Sequence, residues 1–312
     1  MKPTWLLFAV CSVCAAQERT VWRNPGAIER IGFARAAGPH NAPQPPFHFV
    51  EERLSGNTPK IVVRDGAGVE WRVKWGLEVH AESFATRLVG ALGYYVEPTW
   101  FIAHGEVIGA RSLTRAARFI GRDGAFSDAS FERRNPTLRS LPESWAWNSN
   151  PFRGTNQLNG LKVLVMLLAN WDNKDARDAK LGSNTAIAAR RIGGRERFTY
   201  SVTDWGQALG GWGPTLTPKT WDCERFTTQT ASFVQGRQGT HVRFNYTGHH
   251  TDDFKNDITV ANVRWLMRYL GRITDAQLRR GLKASGATPA QTACFTPQLR
   301  KRITQLRRLA GP

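Results

Sequence analysis

Acidic residues are scarce in this chain of 312 residues: 25 Asp plus Glu stand against 43 Lys plus Arg, a formal charge of +18. That imbalance favours anionic partners such as nucleic acid, an anionic membrane face or phosphate-bearing ligands, and it bears on association rather than on fold. Cysteine is sparse too, at 4 residues. Neither a zinc-finger spacing nor an aromatic RNA-binding motif occurs, which ranks cytosolic nucleic-acid binding low. No internal stretch approaches eighteen consecutive apolar residues, so no internal membrane-spanning helix is expected, and no repeat of solenoid length is present. Core material, by contrast, is ample. With 41% hydrophobic residues, 12 Trp and 16 Phe, most of the chain is globular rather than disordered, as one large domain or two small ones.

Residues 1–16 read as a signal peptide. Lys2 precedes the apolar run Trp5–Ala16, and Cys14 and Ala16 place small residues at the −3 and −1 positions of a cleavage site before Gln17. Val10 and Val13, directly before Cys11 and Cys14, argue against a lipoprotein site. Export to the periplasm or the cell exterior follows, with no transmembrane span after cleavage. The mature chain would keep Cys223 and Cys294, an even pair in a disulfide-permissive compartment. Residues 17–46 are Arg- and Pro-rich and end in AAGPHNAPQPP, the composition of an extended linker.

The folded body is expected from Phe47, with residues 47–105 as a β-rich unit. KIVVRD (60–65) and VEWRVKW (69–75) are strand-like runs around Gly66-Ala67-Gly68, the pattern of a hairpin. Between Glu78 and Leu92, Ala81, Phe84, Ala85, Leu88 and Leu92 recur at helical spacing, and Gly93 is a natural stop. A strand through Tyr94–Ile102 follows, with Pro98 suited to an edge. Residues 106–157, poor in periodicity and rich in Gly, Pro, Asn and Ser towards their end, read as an excursion between two lobes. Residues 158–312 form a mainly helical unit. Leu158–Ala169 is apolar almost all round, as a buried helix is, and opens onto NWDNKDARDAK. Strand-like runs at Thr185–Ala188 and Phe198–Val202, joined through Gly193-Gly194, lead to Asp204 in TDWG. The tail from Asn262 is helical, and its last helix is basic and amphipathic.

A Gly-containing loop, a hairpin ending in a lysine, a helix with glutamates, a buried helix opening onto an Asp-rich loop and a second hairpin opening onto an aspartate follow one another. This order, carried by Lys74 in VKW, Glu82 in HAESFATRLVGALGY, Asp172 in NWDNKDARD and Asp204 in TDWG, resembles a protein-kinase-like fold. It is similar to the atypical branch, namely the HipA-type, spore-coat CotH-type, secretory-pathway casein and phosphatidylinositol lipid kinases. The resemblance implies an α+β, two-lobed protein-kinase-like fold, with a small β-rich N-lobe holding one helix and a larger, mainly helical C-lobe. It implies a phosphotransferase using ATP and Mg2+ or Mn2+, with a protein, lipid or small molecule as phosphate acceptor.

In that scheme Lys74 holds nucleotide phosphates and Glu82 orients it, with Glu78 one turn earlier in reserve. Asp172 receives the acceptor's hydroxyl proton or orients the acceptor, and Lys174 steadies the moving phosphoryl group. Asp204 binds the metal, since a hard cation bridging phosphates wants oxygen ligands. The chain departs from the family at the second metal ligand. The position five residues after Asp172 is Arg177, which leaves Asn184, with Asp175 and Asp178 as rivals. The glycine loop is reduced to Gly56, where Ser55, Asn57 and Thr58 can offer hydroxyl and amide contacts to phosphates.

Two further readings compete. One is a catalytically inactive kinase-like module binding an anionic polymer of the cell envelope through the basic tail. The other is a metal-dependent hydrolase using His249, His250, Asp252 and Asp253, which lack a spaced partner set. For the N-terminus, mass spectrometry of the exported protein should find Gln17 as the first residue; an intact Met1 would overturn the signal peptide.

Overall fold

Alternation of apolar and charged side chains builds the N-terminal half. The computed structural model describes residues 18–34, 41–56, 58–133, 139–172, 184–213, 216–248 and 255–311; the expected signal peptide lies outside them. A short strand, β1 (Glu18–Thr20), comes first, followed by β2 (Phe47–Arg53), β3 (Lys60–Arg64), β4 (Glu70–Trp75), helix α1 (Glu78–Ala91), β5 (Thr99–Ile108) and β6 (Ala125–Arg133). Strands β2 to β6 close into a barrel in the order β2-β3-β4-β6-β5. Along β4, Trp71, Val73 and Trp75 are buried in a core with Phe47, Ile61, Val63 and Phe131. Alternation leaves Arg72 and Lys74 on the other face, the one onto which α1 folds. The expected hairpin is β3–β4, with Ile61 opposite Val73 and Val63 opposite Trp71.

The barrel runs beyond residue 105, which corrects the boundary of the expected 106–157 excursion. β5 continues to Ile108, and β6 pairs with both β4 and β5. In β6 the apolar signal is confined to Phe126, Ala129 and Phe131 among charged and small residues, and only long-range pairing stabilises it as a strand.

The remainder comprises β7 (Arg139–Ser140), α2 (Asn156–Leu167), β8 (Thr185–Ile192), β9 (Arg195–Val202), β10 (Gly211–Gly213), β11 (Leu216–Lys219), α3 (Cys223–Thr228), β12 (Val234–Gln238), β13 (His241–Phe244), α4 (Val260–Leu270), α5 (Asp275–Ala284) and α6 (Pro289–Ala310). Threonines 155, 259, 274 and 288 cap α2, α4, α5 and α6 by accepting a backbone N–H of the first turn. α2 is buried nearly all round, as its sequence predicted. No helix among the described residues is long and apolar enough to cross a membrane.

The first half of the expected linker over residues 17–46 is part of this body. β1 pairs in parallel with β9, Val21, Ile28 and Phe33 are buried, and Trp22 Nε1 donates to Leu92 O at 2.8 Å. Gly93, at φ +92°, ends α1 where a Cβ would run into the Arg23 carbonyl. A few apolar residues spaced among arginines are enough to dock the segment, although its average composition is polar.

Helix α6 is fastened at two places, to the end of α2 and to α3. Arg302 on α6 is 1% exposed and donates to Met166 O at 3.2 Å, Leu167 O at 2.8 Å, Phe226 O at 3.2 Å and Thr230 Oγ1 at 2.9 Å. It thereby supplies a donor to the Leu167 carbonyl at the end of α2. Cys223 and Cys294 are bonded across 71 residues, tying α3 to α6. In the chain-entropy picture, closing such a loop stabilises by about 4 kcal/mol. Cys294→Ser should therefore lower the melting temperature by on the order of 10 °C, and reductant should do the same to the wild type alone.

Candidate active site

The face of β4 opposite the barrel core carries two cations, Arg72 and Lys74. Cross-strand pairing sets Glu132 of β6 opposite Arg72, and Lys60 of β3 opposite Lys74. Lys74 Nζ meets Glu82 Oε1 of α1 at 2.9 Å and Glu132 Oε2 at 3.3 Å. Arg72 bonds Glu132 as well, and reaches Glu97 at 3.4 Å. Glu82 and Glu132 are 5% and 2% exposed, so these are buried pairs in which each charge depends on its partners. Burial pushes the Glu82 carboxyl up to about 7, against the pull of Lys74. Glu132 resists its own burial because Lys74 and Arg72 both face it, and its carboxyl is held at about 2. Lys74 stays protonated: burial disfavours its charge, but the two carboxylates outweigh that and raise it. The two helix glutamates that sequence left open are thus separated, since Glu82 is the one on the lysine.

Glu78, one turn earlier, faces elsewhere. Its carboxylate accepts from Thr58 Oγ1 at 3.1 Å and from Gln207 Nε2. Burial raises its carboxyl, and the neighbouring charges of Asp204 and Asp172 add to the rise while Lys74 opposes it. Glu78 therefore senses all three of the residues that sequence had singled out in separate segments. Gly206 makes the approach possible, because a Cβ there would lie 2.8 Å from Glu78 Cβ and 3.2 Å from Asp204 Oδ1.

Backbone and amide contacts tie the remaining segments together. Asn184 Nδ2 donates to Asp172 O at 2.6 Å, and the Asn184 carbonyl accepts from Thr203 N at 3.1 Å. Asn170, fully buried, donates from Nδ2 to Asp204 O at 2.9 Å, while its own carbonyl accepts from Tyr246 OH at 2.5 Å. Asp204 Oδ1 accepts from Gly206 N at 3.0 Å. Asn184, expected as a metal ligand, has its amide nitrogen committed to the Asp172 backbone. In the glycine loop, Arg115 donates to Leu54 O at 2.9 Å and Gly56 O at 2.6 Å. Gly56 sits against Lys60, whose Nζ is 3.2 Å from where a glycine Cβ would stand. Ser55 is exposed in that loop. Asn57, Lys174, Asp175, Arg177 and Asp178, with His249, His250, Asp252 and Asp253, lie outside the described residues.

Sequence reasoning missed Lys60, Arg72, Glu132, Asn170 and Gln207. For Arg72 and Lys74 the signal was present as alternation along β4; Glu132 had none until β6 was placed beside β4. Lys60 has no ion-pair partner among the described residues. Its ammonium is pushed down by burial and by Lys74 and Arg72, so two lysines face one another across a strand pair, an arrangement that an anion would relieve.

The opposite side carries carboxylates. Burial and the charges of Asp204 and Asp172 raise the Glu78 carboxyl there, and no three His, Cys, Asp or Glu side chains among the described residues are grouped to hold a metal by themselves. One or two carboxylates completed by phosphate oxygens and water is the usual way Mg2+ is held.

Stability should follow the two buried carboxylates with opposite signs. Glu82 titrates higher in the folded than in the unfolded chain, so its contribution is present below about 4.5 and lost as pH rises through about 7. Glu132 titrates lower, so its contribution is present above about 4.5 and lost as pH falls towards 2. In denaturant unfolding across pH, Glu82→Gln should flatten the neutral limb. Glu132→Gln should cost roughly 3–5 kcal/mol at pH 7; a loss under 1 kcal/mol would show that Arg72 and Lys74 do not depend on it.

No known family profile matches the chain, and no curated protein matches its sequence. Among solved structures the fold is similar to that of a golgi casein kinase, at 12% identity and a TM-score of 0.44, over 86% of this chain and 73% of that one. A golgi casein kinase structure with Mn/ADP bound matches over the same shares at 11% identity and a TM-score of 0.40.

Proposed function

We propose that this chain is an atypical kinase-like phosphotransferase that uses ATP with Mg2+ or Mn2+. The barrel with α1 would serve as the smaller lobe and the helical remainder as the larger. The observation that carries the reading is the convergence on α1: Glu82 holds Lys74 at 2.9 Å, while Glu78 on the same helix lies in the field of Asp204 and Asp172. Cations thus stand on one side of a short helix face and carboxylates on the other. Phosphoryl transfer needs that division, because catalysis there is mostly positioning and charge neutralisation.

Lys74 and Lys60 would take the donor's phosphate oxygens, with Glu82 and Glu132 fixing the direction of Lys74. Asp204 and Glu78 would hold the cation, which neutralises phosphate charge when bound. Asp172 would take the proton of the acceptor hydroxyl as its oxygen bonds to the terminal phosphorus and the bond to the bridging oxygen breaks, leaving ADP. Asn184 and Asn170 act as positioning residues for Asp172 and Asp204, and Lys174 remains the proposed partner of the moving phosphoryl group. We also propose that the chain is exported, on the strength of residues 1–16. Nucleotide is scarce outside the cytoplasm, and this gives weight to the alternative of an inactive relative that retains binding.

Thermal shift with MgATP or MnATP and transfer of label from the terminal phosphate separate the two. Wild type should be stabilised by metal nucleotide and Asp204→Ala should not be. Asp172→Ala should bind but lose transfer by roughly 10²–10⁴-fold. Binding without transfer in the wild type would leave the inactive module standing, and no binding at all would end the kinase reading.

A further inference from the structure

The C-terminal helices carry a charge imbalance that the site above does not use. From Arg264 to Pro312 there are eleven Lys plus Arg and one acid, Asp275. Arg302 is buried, and Arg300 and Arg279 reach Asp275 at 2.6 and 3.9 Å. On α4, Arg264 and Arg268 are exposed on one stripe, and Arg272 continues it beyond the helix end. Four-residue spacing sets successive members about 6 Å apart along the axis. α6 runs antiparallel beside that stripe, since Arg264 Nε donates to Ala310 O at 3.0 Å and Arg307 donates to Gly271 O. These contacts bring Arg307 to the same seam, and Arg308 follows it on α6; both are exposed. The acid reaching it is Glu29, paired with Arg272 at 2.5 Å. Arg268 and Arg308 have no ion-pair partner among the described residues.

We propose that the α4–α6 seam docks a linear phosphodiester polymer by its backbone. The five residues are all arginines, whose planar forks match phosphate oxygens two at a time. Arg264, Arg268 and Arg272 form a stripe one turn apart rather than a patch around a single point, which suits successive phosphates of an extended strand. An anionic bilayer fits less well. A helix lying on lipid inserts apolar side chains, but Leu299, Ile303 and Leu306 are all 0% exposed, and the exposed large hydrophobics, Val50, Leu54, Leu77, Ile108 and Ile192, lie outside these helices. Base stacking contributes nothing, because Trp265 and Tyr269 are packed against Trp22. The polymer is thus held without regard to sequence.

Fluorescence anisotropy of the full chain with a labelled single-stranded oligothymidylate tests this. The affinity should fall with salt at a log–log slope of about −3, or roughly 50-fold between about 50 and 200 mM, for four or five neutralised phosphates. Arg268→Glu with Arg308→Glu should weaken binding at least about tenfold at low salt, with the melting temperature and the metal–nucleotide shift unchanged. Arg280→Glu with Lys283→Glu, on the exposed side of α5, should change it less than about twofold. A flat salt response in the wild type would overturn the proposal. So would equal losses in the two double variants, or binding to vesicles of anionic phospholipid with none to the oligothymidylate.

Discussion

Lys74 is an ammonium taken largely out of water, and that forces three separate elements to agree. Its charge survives because Glu82 comes from α1 and Glu132 from β6, while Arg72 shares Glu132 from the next position on the same strand face. Slipping β6 by one residue would turn Glu132 into the barrel and Phe131 out of it. Rotating α1 by one turn's fraction would exchange Glu82 for an apolar neighbour. The barrel register and the seating of α1 are therefore set by apolar packing on one face and by compensation of buried charge on the other.

The far side of the site depends on a different kind of constraint. Asp172 and Asp204 sit on connections rather than within helices or strands, and their backbones are held by amide side chains. Asn184 reaches Asp172 and Asn170 reaches Asp204. Arg302 holds the end of α2, the element from which the Asp172 connection leaves. Rigid anchors with functional groups on the loops between them is the usual division of labour in a binding site. Here it lets α1 present one glutamate to the cations and another to the carboxylates.

Local pattern made much of the fold legible. The 60–75 hairpin, α1, α2, the β8–β9 hairpin and the helical tail all follow from periodicity and turn glycines, which act over a few residues. Lys74, Glu82, Asp172 and Asp204 were legible as candidates because their order along the chain resembles that of a kinase-like fold. β6 and the β1 segment were not, because each has too few apolar residues to announce itself and becomes ordered only through partners far along the chain. The same holds for Glu132 and Lys60, ordinary charged residues until strand pairing puts them beside Lys74.

What the sequence determined by itself was therefore the set of elements, the excess of positive charge and the presence of an even cysteine pair. Tertiary structure decided which glutamate meets the lysine, that Asn184 secures a backbone, and that Cys223 and Cys294 lie close enough to bond. It also sorted the basic residues, sending Arg302 into the core and leaving Arg268 and Arg308 on the surface. The physical reason is common to all of these. Burial and charge compensation depend on distances between segments many residues apart, and no pattern within one segment encodes those distances.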